Sequence, residues 1–342
     1  MPSEMSNMKI SVVITAYNLE NYLEEAILSV LNQTRKVDEI IIADDCSTDN
    51  TWQIIDKYKA NVSCIRQKEN AGALRNSLAG LMAAKYDLVA FLDGDDVWMP
   101  QKIEKMLPLF EADDNMMIAS HDHCRTDSAL NETNILDDTN ENVMFVTQNF
   151  DKADWSRQFR KSIFIRGGYW FGSAYIIKKS RIDFQFFNKI IDENAELAKW
   201  SYLDLVMGPF ITASNPSGTV GLVNEKLFKY RIHDNSTSGS TADVKKTLNS
   251  LKRSQSVNRL TYLMIKDFVK DEFVKSKFYY FDAVHQLAKY QYEGKKFAAI
   301  GQFIKISPDL IKNKVFIKEL KRLTITTFLG LNKFISLKKK YA

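Results

Sequence analysis

Four short strand-forming runs, Ile10–Ala16, Glu39–Ala43, Val62–Gln67 and Leu88–Leu92, are separated by three helical stretches, Glu20–Leu31, Thr51–Tyr58 and Ala71–Ala84. Leu88–Leu92 is apolar throughout, the mark of a strand covered on both faces. In the first helical stretch Leu23, Ala26, Ile27, Val30 and Leu31 recur on one face. The second follows Asp-Asp-Cys-Ser-Thr-Asp-Asn, rich in capping residues, and the third opens from a glycine-containing turn. Strand and helix repeating in this way predict an α/β fold, a mostly parallel sheet flanked by helices. Such sheets bind ligands beyond the C-terminal ends of their strands.

Polar residues stand at those ends in three clusters: Thr15-Ala16-Tyr17-Asn18, Asp44-Asp45-Cys46-Ser47 and Asp93-Gly94-Asp95-Asp96. Three carboxylates within four residues repel one another unless a cation neutralises them. Oxygen ligands suit Mg²⁺ or Mn²⁺, ions that share their coordination shell with substrate phosphates. Asp96, followed by Val-Trp-Met-Pro, is equally suited to cap the next helix. Tyr17 offers a flat face for a nucleobase. Asp45 can accept a hydrogen bond from a base N–H or a ribose hydroxyl, or cap a helix.

Four segments, Ser-Val-Val-Ile-Thr-Ala-Tyr-Asn (11–18), Ile-Ile-Ala-Asp-Asp-Cys-Ser-Thr-Asp-Asn-Thr (41–51), Glu-Asn-Ala-Gly-Ala-Leu-Arg-Asn (69–76) and Phe-Leu-Asp-Gly-Asp-Asp-Val-Trp (91–98), resemble in order and spacing the signatures of family 2 glycosyltransferases. The resemblance implies a GT-A fold, a nucleotide-diphosphate sugar donor (a UDP-sugar) and an inverting transfer assisted by a divalent metal. The acceptor it implies is a growing surface glycan such as capsule or lipopolysaccharide, or a lipid-linked oligosaccharide. On this pattern Thr15, Tyr17, Asp45, Arg75 and Asp93 contact the donor. Asp93, Asp95 and Asp96 are the metal candidates, the sequence leaving open which of them ligate. His233, in Tyr230-Arg231-Ile232-His233, is placed to close over metal or phosphate. The following run, Asp234–Thr241, reads as a lid.

Past residue 115 the pattern loosens. Gly167-Gly168-Tyr169-Trp170-Phe171-Gly172-Ser173 sets aromatics between glycines, and Trp170, Phe171 and Gly172 are expected to line the acceptor pocket. An inverting transfer needs a carboxylate base. Asp204 is the candidate, because its apolar run (Trp200–Leu205) lies upstream of Tyr230-Arg231 and burial raises a carboxyl pKa. Asp192, Glu193 and Glu196 are the alternatives. His121-Asp122-His123 is expected to place its imidazoles on opposite strand faces and so to hold no metal.

A catalytic domain is expected over 1–240, divided into a donor half (1–115) and an acceptor half (116–240), with a helical C-terminal region over 241–342. Within the latter, Asp282–Tyr290 and Lys295–Phe303, around a Tyr-Glu-Gly turn, resemble one tetratricopeptide-like hairpin. From Lys312 onward nine basic residues face one acidic residue, while the whole chain carries only +5. Phe316, Leu320, Leu323, Leu331 and Phe334 among these lysines suggest an amphipathic tail able to rest on an anionic membrane. No apolar run is long enough to span one. Cys46, Cys64 and Cys124 have no metal-like spacing and suit a reducing compartment, so the expected location is cytoplasmic, with peripheral membrane contact. No nucleic-acid partner is expected. A nucleotide-sugar-binding module without transferase activity is one alternative. A nucleotidyltransferase ranks lower, since no glycine-rich, lysine- or arginine-bearing phosphate loop follows the first strand.

Overall fold

The structure, a computed structural model, describes residues 8–133, 172–233, 243–269, 272–312 and 316–330. Trp170, Phe171, the 234–241 run, Leu331 and Phe334 lie outside these residues. The chain forms two compact units, Met1–Asp234 and Asn235–Ala342.

In the first unit the alternation expected from sequence is present: β1 (Ile10–Ala16), α1 (Leu23–Leu31), β2 (Glu39–Asp44), α2 (Thr51–Lys57), β3 (Ser63–Arg66), α3 (Ala73–Ala83) and β4 (Leu88–Asp93). Then follow β5 (Val97–Trp98), α4 (Lys102–Ala112), β6 (Met116–Thr126), β7 (Ile176–Lys178), α5 (Phe184–Glu193), α6 (Ala195–Lys199), α7 (Leu203–Ser214) and β8 (Thr219–Arg231). The strands make one sheet in the order β3-β2-β1-β4-β7-β6-β8-β5. The pairs β1–β2, β1–β4, β2–β3 and β6–β8 are parallel, as the GT-A-type expectation requires. Ile10, Val12, Ile14, Leu88, Ala90 and Leu92 are buried with Leu23, Ala26, Ile27 and Val30 of α1 in one core.

Register positions the strand ends. Thr15 pairs with Asp93 across β1–β4, and Ala16 with Asp44 across β1–β2. Strand β7 runs antiparallel to β4, with Ala90 opposite Ile176. Continuing that register backwards brings Ser173 level with Asp93. Strand β5 is antiparallel to β8 (Val97 opposite Lys229), which carries the end of β8 back to the acidic turn.

One expectation is corrected here. Residues two apart on a strand share a face, and His121 and His123 both lie against Phe228, with ring centres 5.8 and 5.4 Å away. Both imidazoles are buried within this aromatic packing.

In the second unit, α8 (Val244–Ile265), α9 (Glu272–Tyr292), α10 (Lys296–Lys312) and α11 (Phe316–Thr324) follow one another. The α9–α10 turn is closed by Gly294 at φ +70°, a left-handed conformation suited to glycine. Leu287, Ala299, Phe303, Ile306, Leu310 and Leu323 form the core of this unit. Phe316 also packs against that core, and Leu323 lies in it, so two residues expected on the apolar face of the tail face inward instead. Leu320 is exposed. Among the described residues no helix is long and apolar enough to cross a membrane.

Candidate active site

The β1–α1 and β2–α2 loops are laced together. The Asn18 N–H donates to Ser47 Oγ (2.9 Å), the Thr48 N–H to Asn18 Oδ1 (2.8 Å) and the Leu19 N–H to Thr51 Oγ1 (2.7 Å). Asn18 (φ 54°) and Cys46 (φ 64°) take left-handed conformations at these turns. Asp44 is buried and accepts from the Ser47 hydroxyl and N–H and, at 3.2 Å, from Arg66 Nε. Asp45, also buried, accepts from the N–H groups of Ala71 (2.7 Å) and Gly72 (3.0 Å), fixing the turn before α3. Burial nonetheless raises its pKa above the ordinary carboxylate value. Gly72 has φ +90°, and a Cβ there would lie 2.5 Å from the Lys199 carbonyl oxygen, so no other residue fits this turn. Tyr17 stands at the end of β1 with its side chain exposed.

At the end of β4, Thr15 Oγ1 donates to Asp93 Oδ1 at 2.9 Å. The Asp93 N–H donates to Ser173 Oγ (3.0 Å), and the Ser173 hydroxyl donates in turn to Asp96 Oδ2. The second oxygen of Asp96 accepts from the Arg231 N–H at 2.9 Å. Asp96 is buried with both oxygens engaged, the position of a turn-building residue rather than of an open metal ligand. Burial, then the charges of Asp95 and Asp93, raise its pKa well above the usual range.

Ser173 also organises the region through its carbonyl, which accepts from Trp98 Nε1 (2.9 Å) and from Lys102 Nζ. Lys102 is fully buried, with its ammonium 3.8 Å from the centre of the Trp98 ring. Burial drives the Lys102 pKa well down, and the neighbouring Asp96 charge opposes this.

Beside Ser173, Gly172 adjoins two carboxylates. A Cβ on it would stand 2.8 Å from Asp93 Oδ2, so a larger residue there would have to displace the Asp93 carboxylate. Its own N–H bonds to Asp204, which sits in the first turn of α7. Burial first, and then the negative charge of Asp93, push the Asp204 carboxyl up to about 8. The Leu205, Asp204 and Gly172 N–H groups pull it the other way. Burial and Asp95 push Asp93 up to about 6.

The end of β8 closes the turn from the other side. Arg231 Nε donates to the Asp95 carbonyl (2.7 Å), Nη1 to the Ser128 carbonyl (2.7 Å) and Nη2 to Glu25 of α1. Its guanidinium lies 4.8 Å from the centre of the Tyr22 ring. His233 is held on the same ring, with centres 4.5 Å apart and Nε2 3.1 Å from Asp95 Oδ2.

Of the residues expected from sequence, the structure thus brings Thr15, Asp93, Asp95, Gly172, Asp204 and His233 together. Arg75 is placed otherwise: Nη2 donates to Asp192 Oδ1 at 3.0 Å and to the Ile191 carbonyl at 3.4 Å, joining α3 to α5. Asp192, Glu193 and Glu196 are exposed, unlike the half-buried Asp204. Glu25, Lys102 and the hub role of Ser173 were not expected. Trp98 ends β5 and Lys102 opens α4, and nothing local in the sequence announces that the two side chains meet.

The fold is a mostly parallel α/β sheet with acidic strand ends, and comparison with known proteins supplies its family. The family model "Glycosyl transferase family 2" matches residues 11–180. The chain carries a glycosyl transferase family 2 domain over those residues. It is 40% identical over 119 residues to the uncharacterized glycosyltransferase alr2836 of Nostoc sp., covering 33% of this chain and 36% of that protein. Over 105 residues it is 40% identical to the UDP-Glc:alpha-D-GlcNAc-diphosphoundecaprenol beta-1,3-glucosyltransferase WfaP of Escherichia coli, covering 30% and 42%. The matched stretches thus span well under half of these relatives. The fold is also that of S. aureus TarS 1–349, solved in complex with UDP-GlcNAc. That match has a TM-score of 0.56 at 14% identity and covers 98% of this chain and 91% of that one.

Proposed function

We propose that this chain transfers a hexosyl or N-acetylhexosaminyl group from a UDP-sugar to a growing surface glycan, with inversion at the anomeric carbon. The observation that carries this reading is the meeting of two carboxylates at Gly172: Asp93, at the end of β4, against its Cα, and Asp204, on α7, on its N–H. Single displacement needs a proton acceptor near the incoming hydroxyl and a separate site for the leaving diphosphate. Asp204 takes the first role, since a carboxyl whose pKa stands near 8 holds a proton firmly once it has accepted one.

On the donor side, Tyr17 stacks on the base, and Asp45, anchored by the 71–72 amides, faces the nucleoside. Arg75 reaches the donor only by exchanging its Asp192 partner. Among the described residues no three His, Cys, Asp or Glu side chains form a ready-made metal cage. Two carboxylates suit Mg²⁺ or Mn²⁺ that completes its shell with phosphate oxygens and water. Asp93 and Asp95 would hold that ion, with His233 beside Asp95. Bound there, it would neutralise the charge developing on the diphosphate. Asp96 holds the turn, and Gly172, with Trp170 and Phe171 before it, borders the acceptor.

The relative WfaP is named for a UDP-glucose donor and a lipid-diphosphate acceptor, and TarS is crystallised with UDP-GlcNAc; both support a UDP-sugar here. The test is Asp204→Asn, which keeps shape and removes the proton acceptor. Donor binding, read by calorimetry, should persist while transfer falls by about 10²–10⁴-fold. Near-normal transfer would sink the base assignment and move the search to Asp192, Glu193 and Glu196.

A further inference from the structure

Helix α10 is apolar on two opposite faces. Ala299, Phe303, Ile306 and Leu310 form its buried face, within the core of the second unit. At the same four-and-three spacing, Phe297, Gly301, Ile304, Pro308 and Ile311 form a second stripe about 21 Å long at 1.5 Å per residue. All five are exposed, Phe297 at 91%, Ile304 at 67% and Ile311 at 62% of full accessibility. A surface helix normally keeps its outer face polar, and one that is apolar all round is covered by something. At 100° per residue Lys296 and Lys305 fall on either side of the stripe, and both are exposed. Helix α11 repeats the combination, with Ile317 exposed between Phe316 and Lys318 and with Lys321 exposed one turn on. Against these lysines the exposed acids of the two helices amount to Asp309, since Glu319 is buried.

We infer that this outer face of α10 is a docking surface for an anionic lipid bilayer, Phe297, Ile304 and Ile311 entering the headgroup boundary and the flanking lysines meeting lipid phosphates. An amphipathic helix lies in the membrane plane in this way, its apolar side chains buried and its cations at the surface. A second copy of the chain fits less well: a two-fold contact along the stripe would set Lys296 and Lys305 of one copy against those of the other. The surface is distinct from the basic tail beyond residue 330, and it does not depend on the transfer reaction proposed above.

The test uses the full chain and vesicles of phosphatidylglycerol with phosphatidylcholine, or of phosphatidylcholine alone, read by co-flotation. The wild type should bind the anionic vesicles, more weakly as salt rises, and bind the neutral ones poorly. Phe297→Asp/Ile304→Asp should lower that binding more than about tenfold, from the area two such side chains bury. Lys296→Glu/Lys305→Glu, which leaves every apolar side chain in place, should lower it too, and serves if the first variant does not fold. Equal binding by wild type and folded variants would assign the membrane contact to the tail and overturn the proposal. So would a dimer in sedimentation velocity that Ile304→Asp dissociates.

Discussion

At the end of β2, Asp44 and Asp45 give their carboxylates to the chain itself, one to Ser47 and Arg66, the other to the amides of Ala71 and Gly72. At the end of β4, Asp96 has both oxygens used in this way, by Ser173 and the Arg231 amide. Asp93 instead takes a hydroxyl from Thr15, feels the charge of Asp95 and acts in turn on the Asp204 carboxyl. Adjacent acids at two strand ends thus do different work. The β2 pair stabilises the loops beside the proposed nucleoside site, whereas the β4 cluster keeps negative charge crowded, a state that a cation or a proton relieves.

The strongest way to break this contrast is to neutralise the crowded end. Asp93→Asn and Asp95→Asn should each lower transfer by about 10²–10³-fold, the scale of lost electrostatic stabilisation of a leaving group, with the thermal transition retained. Activity that survives in both variants, or in the wild type under a chelator, would remove the divalent ion from the scheme. A paired substitution sharpens the contrast further. Ser173→Ala and Ser47→Ala each delete a hydroxyl that holds an aspartate, and each should cost about 1–3 kcal/mol of stability. Transfer at saturating donor should fall about 10–100-fold in Ser173→Ala, since that hydroxyl supports the Asp93 backbone, and stay unchanged in Ser47→Ala. Equal losses in kcat would mean that both ends serve the chemistry alike.

The smallest effect concerns pH. Because the folded Asp204 carboxyl titrates near 8 rather than 3.8, the folded state retains a proton that the unfolded chain has lost, and stability declines as pH rises through that interval. Asp204→Asn has no such proton to lose. Its Tm should exceed that of the wild type at pH 8.5, by about 2–4 °C per kcal/mol relieved, and the gap should narrow towards pH 5. A gap that is the same at both pH values would mean Asp204 is not held in this strained ionisation.

Much of the candidate site's layout was legible because apolar runs fix where strands end, and parallel pairing aligns the ends. The neighbouring positions of Thr15, Asp44 and Asp93 follow from that alone, while the choice of Asp45 over Asp44 rested on the family resemblance. Asp204 was legible as an acid within an apolar run. What sequence did not carry was register between distant segments. Ser173 reaches Asp93 through antiparallel pairing of β7 with β4, and nothing local to Gly172-Ser173 announces that partner. Lys102 reads as a surface lysine of a helix until the Ser173 carbonyl is brought to it. Arg75 reads as a phosphate ligand until α5 supplies Asp192. In α10 the hairpin pattern explained one apolar stripe and hid the other.

The clamp made by Arg231 has a consequence for the order in which the protein can be assembled during synthesis. Its amide bonds a residue 135 positions earlier, and its guanidinium one 206 positions earlier. The first strands can pair as they leave the ribosome, but the acidic turn after β4 stays without this support until β8 has been translated. Contacts so far apart along the chain form slowly. A nascent chain stopped short of residue 231 should therefore expose a formed but protease-sensitive sheet, and gain its resistance abruptly once the clamp emerges.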